Sequence, residues 1–211
     1  MATKLKENTS AIILAAGKSE RMGIPKFMLR HADGQTFLQK LVSEFLLFGC
    51  RQVVAVLNAN GCLNLFHQTI NLPVEMRLVE NSHPEWGRLY SLKLAVDRAT
   101  PAEHLFISNI DNPFMNVELL ESLYQYAEQA DYIMPEYQGR GGHPILISRK
   151  VAEDIRALTS YSGHLKEFLM RYSNVRVEVN NHLVLANINT MDDYQKYFGD
   201  LAHGDHPAPS K

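Results

Sequence analysis

Along this chain, short runs that are apolar throughout alternate with stretches of helical period. Ala11-Ile12-Ile13-Leu14-Ala15-Ala16 is a continuous apolar run closed by Gly17. A run this short with no polar face reads as a strand buried on both sides. Residues 36–48 then place Phe37, Leu38, Leu41, Phe45 and Phe48 at helical spacing behind Thr36, a natural N-cap. Residues 52–57, 76–80, 104–108 and 132–135 read as further strands. Residues 89–99 and 117–130 read as helices, and a weaker helical stretch precedes Met76. Beyond these, 144–148 is strand-like, 151–158 and 165–172 are helical, and 175–179 alternates. The pattern predicts a last short strand at 183–186 and a last helix at 191–198. This order predicts an α/β fold with a mostly parallel, helix-covered sheet. The stretch 138–143 is too short to divide domains. Residues 199–211 have no apolar face and are expected to form a frayed tail.

Composition narrows the function classes. In 211 residues, 45% are hydrophobic and 21% charged, close to the globular average. The net charge is -2 with both signs interspersed, so no basic patch points to nucleic acid and no amphipathic run points to a membrane surface. No apolar stretch approaches the roughly 20 residues a membrane helix needs. Residues 1–10 are polar and lack the apolar core of a signal peptide. The 2 cysteines, Cys50 and Cys62, show neither a zinc nor a disulfide spacing. A soluble, cytoplasmic protein is the expectation.

In open α/β sheets, ligands bind beyond the carboxyl ends of the strands. That directs attention to the loops after Ala16, Leu57, Ser108 and Pro135. The first carries Gly17, Lys18, Ser19, Arg21, Gly23 and Lys26. Gly-Lys-Ser suggests a P-loop, but position 12, where that motif needs glycine, is Ile12. Small residues that let backbone N–H groups approach, with several cations beside them, still suit a phosphate chain.

The run Leu14-Ala15-Ala16-Gly17-Lys18-Ser19-Glu20-Arg21-Met22-Gly23-Ile24-Pro25-Lys26 resembles the LAAGxSxRMGxPK signature of the MobA-like nucleotidyltransferases, the family of molybdenum cofactor cytidylyltransferase and guanylyltransferase. Four later blocks resemble it in the same order. They are 81–92 (NSHPEWGRLYSL), with Gly87, Ser91 and Leu92 matching and Arg88 where Met is usual; Ile110-Asp111-Asn112-Pro113; 137–144 (YQGRGGHP); and 187–193 (NINTMDD). Asn109, Asn112 and Met191 depart from the pattern.

The resemblance implies a single Rossmann-like three-layer α/β domain over residues 1–198, of nucleotide-diphospho-sugar transferase type, with a mostly parallel mixed sheet. It implies transfer of a nucleotidyl group from a nucleoside triphosphate to a phosphorylated acceptor such as molybdopterin, with release of pyrophosphate. Such chemistry is mostly positioning and electrostatic stabilisation. By resemblance Lys26, Arg21 and Asp111 are catalytic. Leu14, Ala15, Ala16, Gly17, Ser19, Arg21, Lys26, Asn81, Gly87 and Ser91 bind nucleotide. Arg140, His143 and Trp86 face the acceptor. Asp111 and Asn189 hold Mg²⁺, a hard ion suited to oxygen ligands, with Asn187 the weaker candidate. Two simpler readings stand beside these. Asn189 N-caps the last helix, and Trp86 is plain packing. Ser91 has no His–Asp partner pattern, which argues against a nucleophile. Ala15-Ala16-Gly17 matches the cytidylyl branch, and a Cβ at position 16 suits a pyrimidine, so CTP is favoured. Partners are then the triphosphate, the acceptor and an enzyme that receives the product. Two alternatives stay open: a sugar- or alditol-phosphate nucleotidyltransferase, and a non-catalytic nucleotide- or cofactor-binding accessory protein.

Overall fold

The structure, a computed structural model, describes residue 6 and residues 8–68, 72–161 and 163–199. Of the tail expected at 199–211, residues 200–211 lie outside the described residues. Eight strands form one sheet: β1 (Thr9–Leu14), β2 (Val53–Asn58), β3 (Met76–Asn81), β4 (His104–Asn109), β5 (Tyr132–Tyr137), β6 (Arg140–Gly141), β7 (Ile145–Ser148) and β8 (Asn174–Glu178). Their order is β3-β2-β1-β4-β7-β5-β6, with β8 paired to β5. The pairs β3–β2, β2–β1, β1–β4 and β5–β8 are parallel. Strand β7 runs antiparallel between β4 and β5, and β6 folds back on β5. The sheet is mixed and mostly parallel.

Seven helices accompany it among the described residues: α1 (Phe37–Phe48), α2 (Ala59–His67), α3 (Gly87–Arg98), α4 (Val117–Tyr124), α5 (Arg149–Arg156), α6 (Leu165–Leu169) and α7 (Met191–Phe198). Successive strand residues point to opposite faces, and β1 shows the result. Ala11 and Ile13 join one apolar core with α1, α4 and α7. Ile12 and Leu14 join a second core with α3 and α5. Because both faces of β1 are buried, its residues from Ala11 to Leu14 are apolar without alternation. No described helix is long and apolar enough to cross a membrane.

Two expected elements differ. Residues 182–185 (His182–Leu185) form a 3₁₀ turn rather than a strand. The Leu183 carbonyl accepts the Ala186 N–H within the turn, and the Asn112 amide nitrogen donates to the carbonyls of Leu183, Val184 and Ala186 at 3.2, 3.0 and 2.7 Å, which holds the segment in this turned form. The helix expected over 117–130 stops regularly at Tyr124, and the chain then tightens into turns such as Ala127 N–H to Tyr124 C=O.

Candidate active site

Strands β1 and β4 end side by side, with Leu14 opposite Asn109. The loop after β1 and the turn after β4 therefore start from neighbouring points. In the first, Ser19 adopts φ 53° and Gly23 φ 71°, two left-handed positions that fold the chain into a short 3₁₀ turn. Ser19 Oγ accepts from the Lys26 N–H at 3.3 Å and closes the loop on itself. Asn58, at the end of β2, donates to the carbonyls of Ala16 and Gly17 at 3.1 and 3.3 Å and holds the loop down from the other side. Asn58 also N-caps α2 through Gly61.

The turn after β4 buries Asp111. Its Oδ2 lies 4.0 Å from Lys26 Nζ and 3.6 Å from Arg88 Nη2. Its Oδ1 is buried and has no hydrogen-bond partner. Lys26 Nζ donates to Asn189 Oδ1 at 2.8 Å, across a sequence separation of 163. Burial lowers the Lys26 pKa from its ordinary value, against the opposing effect of Asp111 and together with the repulsion of Arg21 and Arg88.

Asn189 reaches this point because the chain before it is stitched to the Asp111 turn. Besides the three Asn112 bonds, Ile188 N–H donates to the Asp111 carbonyl at 2.8 Å. The N-cap of α7 is Thr190, in a capping box with Asp193, whose carboxylate also accepts from the Asn189 N–H. The capping reading of Asn189 is thus corrected: Thr190 does that work, and the Asn189 side chain faces Lys26.

Three adjoining cavities surround these groups. One, of about 490 Å³, is lined by Leu14, Ala16, Arg21, Lys26, Ser91, Asp111 and Asn189. A second, of about 780 Å³, lies on the β2 side and is rich in amides: Asn58, Asn60, Asn64 and Asn81, with Ala15 in its wall. Gly17 and Ser19 line both. The third, of about 1590 Å³, is walled by Trp86, Tyr132, Met134, His143, Tyr161 and Met170. Gly87, Arg88 and Asn109 line both the first and the third. Of the residues expected at the site, Arg140 and the weaker metal candidate Asn187 line none of the three. Asn187 is exposed, and its amide donates to the Leu185 carbonyl at 3.2 Å. Arg140 lies exposed on β6, while Gly139, Gly141 and Gly142 around it line the third.

Several side chains prove to be committed to the protein. Asn81 Nδ2 donates to Ser91 Oγ at 2.9 Å and its Oδ1 accepts from the His83 N–H at 2.7 Å. These bonds fix the segment between β3 and α3. Trp86 stacks on His83 at 4.1 Å between ring centroids and lies near-parallel to Tyr161 at 6.0 Å. His143 Nε2 lies 3.0 Å from Asn109 Nδ2, its Nδ1 is buried without a partner, and burial lowers its pKa. The sequence reasoning assigned no role to Asn58, Arg88 or Asn109. For Arg88, the signal was its departure from the usual Met.

Among the described residues, no group of three or more His, Cys, Asp and Glu side chains gathers as a metal cage. What the site offers is the unpartnered Asp111 Oδ1 and the Asn189 amide oxygen, with the Lys26 ammonium bonded to the amide oxygen and 4.0 Å from the other Asp111 oxygen. Such a set suits an ion that takes its remaining ligands from phosphates and water.

Residues 11–176 match the MobA-like NTP transferase domain. The chain is 28% identical to a molybdenum cofactor cytidylyltransferase of Escherichia coli over 183 residues, 87% of this chain and 92% of that protein. It is 25% identical to a probable molybdenum cofactor guanylyltransferase of Methanosarcina mazei, covering 90% of each. A crystal structure of Rv0371c from Mycobacterium tuberculosis in complex with manganese superposes with a TM-score of 0.71 at 20% identity, over 90% of this chain and 98% of that one. This last likeness shows the fold. The match over 11–176 settles the family: the chain belongs to the MobA-like NTP transferases and is a nucleotidyltransferase of that type.

Proposed function

We propose that this enzyme transfers CMP from CTP to a phosphorylated acceptor of molybdopterin type and releases pyrophosphate, with Mg²⁺ bound. The observation that carries this is the Asp111 carboxylate, buried with one oxygen unpartnered and with Lys26 and Asn189 gathered beside it at the mouth of the 17–26 loop. Asp111 and Asn189 would hold Mg²⁺, which supplies positive charge to the triphosphate. Their oxygens suit it, and a structure of the same fold was solved with manganese.

Lys26 and Arg21 bind the triphosphate, neutralising charge that grows around the α-phosphorus. The loop's backbone supplies further donors. The base enters the amide-rich cavity, where Asn60 and Asn64 offer donors and acceptors to its edge. Ala16 lines the phosphate-side cavity instead. Its methyl group therefore bears on the base less directly than the sequence argument assumed. Preference for CTP rests on the Ala-Ala-Gly loop and on the Escherichia coli relative. The acceptor occupies the third cavity, whose aromatic and methionine walls suit a flat heterocycle better than a sugar or alditol phosphate.

The test is thermal unfolding with CTP, GTP, UTP and ATP, each with and without Mg²⁺, followed by pyrophosphate release with molybdopterin. A nucleotide at 100 times its Kd stabilises by about 2.7 kcal/mol, roughly 5–10 °C for a domain of this size. The expected result is the largest Mg²⁺-dependent shift with CTP. A larger shift with GTP reassigns the base. Absence of pyrophosphate release with molybdopterin overturns the acceptor.

A further inference from the structure

Arg88 lies in the first turn of α3, directly after Gly87, whose φ of 89° sets the corner between the 84–86 turn and the helix. Its guanidinium approaches one oxygen of Asp111 at 3.6 Å, yet it makes no hydrogen bond to another described residue, and its side chain is 62% exposed. It lines both the cavity that holds Lys26 and Asp111 and the wide aromatic cavity. The other residues common to the two are Gly87 and Asn109, neither of them charged. The planar fork of an arginine presents paired donors that match a phosphate. A fork held loosely by one carboxylate, at the junction of a phosphate-side cavity and an apolar one, has donors to offer an anion arriving from the apolar side.

We propose that Arg88 is the anchor for the acceptor's phosphate group. This rests on the nucleotidyl-transfer reading above and extends it to how the two substrates meet. The acceptor enters with its ring system in the wide cavity and its phosphate against the Arg88 guanidinium, beside Asp111. One oxygen of that phosphate forms a bond to the α-phosphorus of the triphosphate. The bond from the α-phosphorus to its bridging oxygen breaks, and that electron pair leaves with pyrophosphate. The acceptor phosphate attacks as an anion, so no proton is transferred and Arg88 keeps its charge throughout. Its work is to lower the repulsion between two anions brought together at one phosphorus.

The experiment compares the full-length protein with Arg88→Met and Arg88→Lys in separate titrations. The probes are CTP with Mg²⁺; 1-naphthyl phosphate, a flat aromatic phosphomonoester, with and without the nucleotide; and 1-naphthol, which has the ring and no phosphate. Arg88→Met is expected to weaken naphthyl phosphate at least tenfold while leaving CTP and naphthol within twofold. Arg88→Lys is expected to recover part of the loss. Unchanged naphthyl phosphate binding in Arg88→Met overturns the proposal. So does an equal loss of CTP affinity, which assigns Arg88 to the triphosphate. So does a wild type that binds naphthyl phosphate no better than naphthol. Failure of every nucleotide to bind the wild type counts against nucleotidyl transfer itself. The naphthyl phosphate titration without nucleotide then still decides the role of Arg88.

Discussion

The phosphate-side cavity under the 17–26 loop and the wide cavity beyond Arg88 share Gly87, Arg88 and Asn109 and differ in almost everything else. The first is built on strand ends and carries Arg21, Lys26, Asp111 and Asn189. The second is walled by rings and methionines from segments distant in sequence, among them Trp86, Tyr132, Tyr161 and Met170. Charged groups in the first are fixed by networks: Lys26 by Asn189 and Asp111, the loop by Ser19 and Asn58. In the second, the Trp86 and Tyr161 rings lie near-parallel and both pack on Tyr90. On the function proposed above, the difference separates two tasks. A reaction between anions needs few groups, held rigidly; holding a flat acceptor needs area and tolerates looser placement.

Substitutions on the two sides should therefore differ in kind as well as size. The largest loss is expected for Asp111→Ala, about 10³-fold in kcat or more, equivalent to roughly 4 kcal/mol. Its check is pyrophosphate release at saturating nucleotide with the fold confirmed by circular dichroism. Wild-type turnover in this variant would remove the site from the turn after β4. Lys26→Ala follows, at about 10²-fold or more, the scale of losing one positioned donor. Asn112→Ala tests the scaffold: it removes one donor from the Leu183 and Val184 carbonyls, which keep their backbone donors, and the 2.7 Å bond to the buried Ala186 carbonyl, at about 1–3 kcal/mol. Chemical denaturation should show that loss, and kcat should fall with it, because the segment carrying Asn189 loosens. Trp86→Ala on the aromatic side should raise the acceptor KM about tenfold and leave nucleotide affinity alone. A matching loss of nucleotide affinity would dissolve the division of labour. The smallest effect is Thr190→Ala, about 1 kcal/mol of stability from the lost cap of α7, read from the denaturation midpoint.

Much of the first cavity could be read from the chain. The apolar run of β1, the punctuated loop and the carboxylate directly after β4 are local signals, and each lies at a strand end where ligands are expected. That Lys26 and Asn189 touch was beyond periodicity, since 163 positions separate them. Only the order of the motifs hinted at it. Asn58, Asn109 and Asn112 act through single amides turned toward backbone or ring, and an isolated asparagine in a loop reads as a turn former. The 182–185 segment was misread for the same cause. Leu183-Val184-Leu185 has strand composition, and the amide that recruits its carbonyls lies some seventy residues earlier. The aromatic wall was illegible because Trp86, Tyr132 and Tyr161 come from separate loops and strands with no common spacing.

The stitch between Asn112 and the 183–186 carbonyls also bears on how the molecule is made. A chain emerging from the ribosome has all eight strands available once β8 is out, at Glu178. It then has Lys26 and Asp111 but neither Asn189 nor the helix whose Tyr194 hydroxyl donates to the Arg30 carbonyl at 2.8 Å. The sheet can assemble during synthesis, while the site gains its last polar side chain only when residues 186–198 dock. On the function proposed above, competence for phosphate chemistry thus arrives late, after the scaffold that supports it.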